Sequence, residues 1–381
     1  MSVIKNFFKT EKGKRIDKLF LLLTISLALL GTLAVYTAGY AYATYRYSDP
    51  MYFTKRQTVW LIAGFTVMFF SSRLALSTLK KFTPIAFCIT LVLLVLTLVI
   101  GMVGNGAQRW ISIGPITVQP SEIAKLSLIL MLSKYFAENE TRVTNSKNKR
   151  DTFIYATLIP FGIMLMPILL VMLQKHLSCI IILGTIGIIM IFLSGGGLKY
   201  LGGFMGAGTL GVSYIALFTD YTKDRITVWQ NPEAYKLTGG WQTLQGLMAI
   251  GSGGLFGKGI GKGELKYCYV SEPANDMIFA IVSEEMGFLG AMLIISMFAA
   301  LIGVGFKIGI KQKDTFARLA VLGIISKVAI QTLLNIGVVT NSIPNTGISL
   351  PFFSYGGSSL IMLCFEMGLV LSASREIKSW K

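Results

Sequence analysis

Residues 82–103 read FTPIAFCITLVLLVLTLVIGMV, an apolar run that contains no charged side chain. At a rise of ~1.5 Å per residue, about 20 such residues in a helix cross the ~30 Å hydrocarbon core of a bilayer. This stretch therefore predicts a transmembrane helix, and similar runs recur along the chain.

The composition of the 381-residue chain agrees with a membrane location. Hydrophobic residues make up 53% of it and charged residues 14%, whereas soluble domains carry roughly 25% charged residues. The 35 Lys and Arg exceed the 18 Asp and Glu, which in a soluble protein would suggest a nucleic-acid partner. In a membrane protein the excess is a topology signal, because Lys and Arg collect in cytoplasmic loops. We therefore expect no nucleic-acid partner.

The predicted fold is all-α, a single integral membrane domain over residues 1–381 with about ten transmembrane helices. The predicted spans are Leu19–Tyr36, Thr58–Leu76, Phe82–Val103, Ile123–Phe136, Phe153–Leu173, Leu177–Leu193, Leu198–Phe218, Met277–Val304, Phe316–Val339 and Leu350–Ser372. Most Lys and Arg outside the spans lie on the side of the termini, including the basic segment 1–18, so both termini are predicted to be cytoplasmic.

Two extracytoplasmic loops follow from this topology. One is Gly104–Glu122, and the other is the large loop 219–273 before the eighth predicted span. The large loop contains an apolar patch, Leu244–Ile250, that is too short to span the bilayer. We expect this patch to be a re-entrant or interfacial segment buried against protein, because its backbone cannot face lipid with its hydrogen bonds unmade.

Ionisable side chains at membrane depth are costly, so each is a candidate functional residue. Glu122 and Lys125 lie three residues apart on one face of the fourth span. They either neutralise each other and lock this helix into the bundle, or Glu122 holds Lys125 ready for a substrate anion. The residues alone leave both interpretations open.

The start of the eighth span carries a second polar group. Ser283 lies almost directly below Asp276 on the predicted helix, and Glu284 lies on a nearby flank. The helix N-terminus would favour the ionised form of Asp276, which suits an electrostatic role and weakens a role as a base. The alternative role for Asp276 is capping of the helix.

The ninth span carries Lys327, Gln331 and Asn335 at intervals of four residues. Interhelical hydrogen bonding explains Gln and Asn at such positions, whereas the buried cation of Lys327 indicates substrate binding. The solitary His176 is interpreted as a structural side chain at a turn. Together these residues predict a polar cavity that opens outward and binds an anionic amphiphile of the outer leaflet.

Several long motifs then occur in order along the chain. They are Gly106-Ala107-Gln108-Arg109-Trp110, Gln119-Pro120-Ser121-Glu122-Ile123-Ala124-Lys125, Ala249-Ile250-Gly251-Ser252-Gly253-Gly254, Asn275-Asp276-Met277-Ile278-Phe279-Ala280, Glu284-Glu285-Met286-Gly287 and the segment from Pro351 to Ser359. In this order they resemble the SEDS family, the group of FtsW, RodA and SpoVE, and the match is closer to the FtsW and SpoVE types than to RodA.

This resemblance implies a peptidoglycan glycosyltransferase of the bacterial cell membrane that polymerises lipid II together with a class B penicillin-binding protein. Asp276 matches the family's essential loop aspartate, the implied catalytic residue. Arg109, Glu122 and Lys125 match polar residues that line its central cavity. Ser283, Glu284 and Lys327 are further candidates for substrate binding, and a divalent cation, Mg²⁺ or Mn²⁺, is a candidate at the leaving pyrophosphate.

One position departs from the family pattern. Many members read Gln-Pro-Asp-Leu-Gly where this chain has Gln174-Lys175-His176-Leu177-Ser178, so any role of that acid does not transfer. Two rival functions also remain open at the level of sequence. A lipid II flippase would use the same intramembrane charges, whereas a scaffold that only recruits the penicillin-binding protein would leave those charges unexplained.

Overall fold

The structure is a computed structural model that describes residues 16–104, 107–114, 116–144, 149–195, 220–267 and 269–377. Helices dominate it. They are α1 (Lys18–Tyr47), α2 (Tyr52–Ser71), α3 (Leu76–Ile100), α4 (Pro120–Glu138), α5 (Glu140–Thr144), α6 (Lys149–Phe153), α7 (Ile159–Leu173), α8 (Leu177–Leu193), α9 (Asp220–Gln230), α10 (Trp241–Ser252), α11 (Ile278–Ile310), α12 (Thr315–Val339) and α13 (Gly357–Glu376). A π-helical turn, Ile154–Leu158, joins α6 to α7.

Long apolar helices confirm a chain that crosses the membrane several times. Among the described residues, six helical segments are long and apolar enough to span a bilayer. Nine of the ten predicted spans coincide with helices, and α8 matches its prediction residue for residue. The predicted seventh span, Leu198–Phe218, lies outside the described residues, so the count of ten stays a prediction.

The prediction of an all-α fold is wrong in one segment. The end of the predicted third span and the predicted loop Gly104–Glu122 form a small antiparallel sheet. Its strands are β1 (Met102–Gly104), β2 (Ala107–Ile113) and β3 (Ile116–Val118), in the order β1-β2-β3. Ile111 pairs with Val118 and Ile113 with Ile116. Pairing within this short connection satisfies backbone groups that a free loop would leave to water.

Helix α11 is broken at Gly287. This residue has φ 67° and ψ −170°, a conformation that a side chain would strain. A Cβ atom there would also lie 2.2 Å from the backbone nitrogen of Gly257. The segment after α10 fills the break, since the N–H groups of Phe288 and Leu289 donate to the carbonyls of Gly254 and Leu255 at 2.8 and 3.1 Å.

The first and last helices meet at one end of the bundle. The backbone N–H of Asp17 donates to Ser374 Oγ at 3.1 Å, so α1 begins where α13 ends. At the other end of α13, the N–H of Tyr355 donates to the carbonyl of Ala274 at 2.8 Å. Because α13 has 20 residues, about 30 Å separates the two ends. Asp276 therefore lies on the face opposite the described chain ends.

Candidate active site

Asp276 occupies the turn that leads into α11. The helix begins at Ile278 and its N-cap is Met277, whose side chain makes no capping hydrogen bond, so Asp276 is not the N-cap residue. The carboxylate instead accepts a hydrogen bond at Oδ2 from Gln242 Nε2, at 3.3 Å. Its Oδ1 atom is buried and has no hydrogen-bond partner among the described residues. One carboxylate oxygen is thus uncommitted.

The surroundings of Asp276 alter its proton affinity. Burial and the negative charge of Glu272 raise the pKa of Asp276 to about 6, and they outweigh hydrogen bonds that lower it, including the one from Gln242. The sequence had predicted the opposite direction, from the helix N-terminus. A carboxylate with this pKa remains mostly ionised at neutral pH and is a better proton acceptor than an ordinary aspartate.

Asn335 holds the backbone around Asp276. Its side chain is fully buried, and Nδ2 donates to the carbonyls of Asp276 and Ile348 at 2.8 and 2.7 Å. Gly347, with φ 66°, lies beside the carboxylate, because a Cβ atom there would be 3.8 Å from Asp276 Oδ2. The predicted interhelical hydrogen bonding is therefore wrong for Asn335, because its side chain joins α12 to the two non-helical segments that flank the carboxylate.

A second polar group lies in the core of the bundle. Lys125 Nζ is 2.7 Å from Glu122 Oε1, and both side chains are buried, so the predicted pairing along α4 is confirmed. Lys327 on α12 pairs with Glu366 on α13, with Nζ 2.7 Å from Oε1. The charge of Lys327 also acts on Glu122, and that of Glu366 acts on Lys125. Two cations and two anions thus balance each other.

Arg109 lies at the edge of this cluster. It projects from β2, and its Nη2 donates to the carbonyl of Lys175 at 3.3 Å. Burial, then the charges of Arg109 and Lys125, lower the pKa of the adjacent His176 to about 3. His176 is therefore neutral at physiological pH and does not neutralise Arg109, as an aspartate at this position would.

Contacts through one loop connect the two polar groups. Ser178, in the first turn of α8, donates to the carbonyl of Thr346, next to Gly347 beside Asp276. Arg225 of α9 donates to the carbonyl of Asn345. Segment 341–347 therefore lies between the two polar groups. Thr346 contacts Ser178 near His176, and Gly347 lies beside Asp276.

Ser283 and Glu284, both predicted to bind substrate, make their hydrogen bonds inside the protein. Ser283 Oγ donates to the carbonyl of Phe279 on its own helix, at 2.7 Å. Glu284 is fully buried and accepts from Lys258 Nζ and from the N–H of Glu264, each at 2.9 Å. The structure does not bring either residue to Asp276, and Glu284 anchors the loop after α10.

Gln242 and Glu366 are the residues that sequence reasoning missed. Gln242 lies in the first turn of α10, where nothing in its local pattern indicates a contact with Asp276, 34 residues away. Glu366 could have been identified from the sequence, because it is an acidic residue inside an apolar span. A charged side chain at membrane depth has a high free-energy cost and therefore indicates a partner or a function.

A metal site would need several protein ligands that converge. Within the described ranges, no group of three or more His, Cys, Asp or Glu side chains converges. Asp276 has one uncommitted oxygen, which is too few donors for a site built by the protein alone. No step below is routed through a cation.

The chain resembles known proteins along nearly its whole length. The family model for FtsW, RodA and SpoVE, described as a cell cycle protein, matches residues 17–379. Stage V sporulation protein E of Bacillus subtilis is 38% identical, over 96% of this chain and 99% of its own length. A probable peptidoglycan glycosyltransferase FtsW of Geobacter metallireducens is 32% identical, over 96% of each chain.

Solved structures agree with these relatives. A chain from work on polymerization and crosslinking by a peptidoglycan synthase complex superposes with a TM-score of 0.78 and 25% identity, over 96% of this chain and 99% of that one. RodA of Thermus thermophilus, a rod shape determining protein, gives a TM-score of 0.70 and 27% identity, over 96% of this chain and 98% of that one. The chain is therefore a multi-pass membrane protein of the FtsW/RodA/SpoVE family, as its motifs predicted.

Proposed function

We infer that this chain is a peptidoglycan glycosyltransferase that polymerises lipid II into glycan strands. The observation that carries the proposal is the carboxylate of Asp276, which has a pKa raised to about 6 and one oxygen with no hydrogen-bond partner among the described residues. The names of its relatives and structural neighbours support the same reaction class.

Asp276 acts as the general base in this proposal. Its carboxylate accepts the proton of the acceptor sugar's hydroxyl group, and the hydroxyl oxygen attacks the anomeric carbon of the donor strand. The bond from that carbon to the pyrophosphate breaks, and the polyprenyl pyrophosphate leaves. Gln242 orients the carboxylate through Oδ2, and Oδ1 has no hydrogen-bond partner among the described residues.

Positive charge stabilises the leaving pyrophosphate. Arg109 is the first candidate, because it matches a polar residue of the family's central cavity and its charge acts on His176 beside the buried cluster. Lys125 and Lys327 contribute through a cluster in which each already has a carboxylate partner. A Mg²⁺ or Mn²⁺ ion would be brought by the pyrophosphate, whose oxygens suit such hard cations.

The proposal also includes topology and partner. We place the described chain ends in the cytoplasm and Asp276, with the large loop before α11, at the outer face, in a bundle of ten spans. A class B penicillin-binding protein acts as partner, as the likeness to a chain of a peptidoglycan synthase complex supports. The number of spans, the cytoplasmic position of the chain ends and the outer position of Asp276 are parts of this proposal that go beyond the described helices.

Purified protein with its partner and labelled lipid II in detergent tests this function. We expect glycan strands that appear as a ladder on a gel. Because detergent micelles have no two leaflets, a flippase would produce nothing measurable under these conditions. Absence of a ladder with each of several class B partners would refute the glycosyltransferase and favour transport or scaffolding.

The pH dependence of polymerisation should identify Asp276 as the base. The carboxylate must be ionised, so kcat/KM should fall as pH drops through about 6, the raised pKa of Asp276. Glu272→Gln removes a negative charge that raises this pKa, so the acidic limb should move to lower pH. Gln242→Leu removes a donor that lowers this pKa, so the limb should move to higher pH.

These two substitutions control for each other, because both lie close to Asp276 and only the sign of their electrostatic effect differs. Rates measured between pH 4.5 and about 8 with each variant supply the comparison. Shifts in the same direction, or an acidic limb that neither substitution moves, would show that another group controls the profile.

A further inference from the structure

A polar cleft opens on the face opposite Asp276. Its volume is about 520 Å³, and the ends of four helices line it: the start of α3, the end of α4, the residue before α12 and the end of α13. Its charged side chains are Lys80, Lys81, Lys134, Glu138, Asp314 and Glu376. The proposed glycosyl transfer uses none of them.

The acidic side chains of the cleft are already engaged. Glu138 Oε1 lies 3.8 Å from Lys134 Nζ. Asp314 caps α12 by accepting from the N–H of Ala317 at 2.8 Å, and Glu376 has an interaction of its own. Of these three acids, only Glu138 has an ion pair with a lysine of the cleft among the described residues.

The cleft has three basic and three acidic side chains, and two of its lysines form no ion pair with any described residue. Neither Lys80 nor Lys81 has an ion-pair partner within the described part of the chain. Ser372 Oγ donates to the carbonyl of Leu74 at 2.5 Å, which brings the end of α13 to the turn between α2 and α3. There the charge of Arg73 acts on Arg375, whose Nε is buried with no hydrogen-bond partner among the described residues.

The exposed face of α3 continues from the cleft along the membrane. Phe82, Ile85, Ile89 and Val92 lie three or four residues apart and are each about half exposed, so they form one apolar stripe. A ligand held by Lys80 and Lys81 would therefore have lipid-facing surface directly beside it. This favours a phosphate group attached to acyl chains over a soluble anion.

We propose that the cleft lined by Lys80 and Lys81 binds the headgroup of an anionic phospholipid, such as phosphatidylglycerol, in the leaflet opposite Asp276. The two lysines contact the phosphate, and Arg73 and Arg375 add positive potential from the neighbouring turn. The acyl chains lie along the apolar stripe of α3. Basic pockets between transmembrane helices bind the anionic headgroups of cardiolipin and phosphoinositides in other proteins. The site does not depend on the proposed enzymatic activity.

Native mass spectrometry of the full chain in neutral detergent tests the site. The wild-type protein is titrated with dioleoyl phosphatidylglycerol or dioleoyl phosphatidylcholine, and the bound lipid is counted. We expect a preference for phosphatidylglycerol that falls by more than about tenfold in Lys80→Gln/Lys81→Gln, at about fivefold per lysine. Lys18→Gln/Lys307→Gln removes two exposed lysines from the same face, outside the cleft, and should retain the preference.

The variant Lys80→Arg/Lys81→Arg changes the same two side chains but keeps both positive charges. It should therefore bind as much lipid as the wild type, whereas the glutamine variant should not. The thermal midpoint of each variant without added lipid verifies folding. Equal lipid loss in both glutamine variants would reveal general electrostatic attraction and overturn the site. A wild-type protein without preference between the two lipids, or one from which millimolar inorganic phosphate displaces all lipid, would overturn it as well.

Discussion

Polymerisation of lipid II should fall by about 10²–10⁴-fold when Asp276 is replaced by asparagine, the range typical of a lost general base. Asparagine keeps the size of the side chain and an oxygen for the hydrogen bond from Gln242, but it cannot accept the acceptor's proton. The measurement is the initial rate of strand formation from labelled lipid II, with the partner protein at saturation.

Glu272→Gln is the matched control for this substitution. It removes a carboxylate four residues earlier that interacts with Asp276, and its rate at pH 7.5 should stay within about threefold of the wild type. If Asp276→Asn polymerised as fast as this control, the base would have to be another group. Normal co-purification of the partner with both variants would verify that the loss is chemical.

The largest expected effect on stability is at Lys327. Lys327→Met leaves Glu366 buried without its cation, and breaking a buried ion pair in this way costs about 3–5 kcal/mol. The free energy of unfolding in mixed micelles, measured by titration with a denaturing detergent, should show this loss. Lys327→Met/Glu366→Leu removes both charges and should recover most of the stability, because no isolated charge remains in the core.

The double variant also decides between two roles for Lys327. If both stability and polymerisation recover, the lysine serves to join α12 to α13. Recovery of stability without polymerisation would support the predicted contact with substrate. A single variant as stable as the wild type would refute the buried pair altogether.

Local pattern predicted the contacts that lie within one helix. Glu122 and Lys125 are three residues apart, and helical geometry alone places them side by side. Lys327 and Glu366 are 39 residues apart on separate helices, so their pairing depends on how α12 packs against α13. The rule that pairs residues three or four positions apart applies within one helix and does not predict this contact.

The pKa of Asp276 was mispredicted for a related reason. Sequence placed it near a helix N-terminus, which favours a carboxylate, but it could not show how much water is excluded or that Glu272 would lie within electrostatic range. The small sheet was missed because its strands of three, seven and three residues are too short for a clear alternating pattern.

The break at Gly287 bears on how the protein is made. The N–H groups of Phe288 and Leu289 bond to carbonyls of Gly254 and Leu255, which leave the ribosome about thirty residues earlier. In lipid, an amide without a partner costs several kcal/mol, so the later half of α11 cannot settle in the bilayer as observed until the preceding loop has docked. Biogenesis therefore has an order, in which residues 253–259 dock before the helix that follows them reaches its final position.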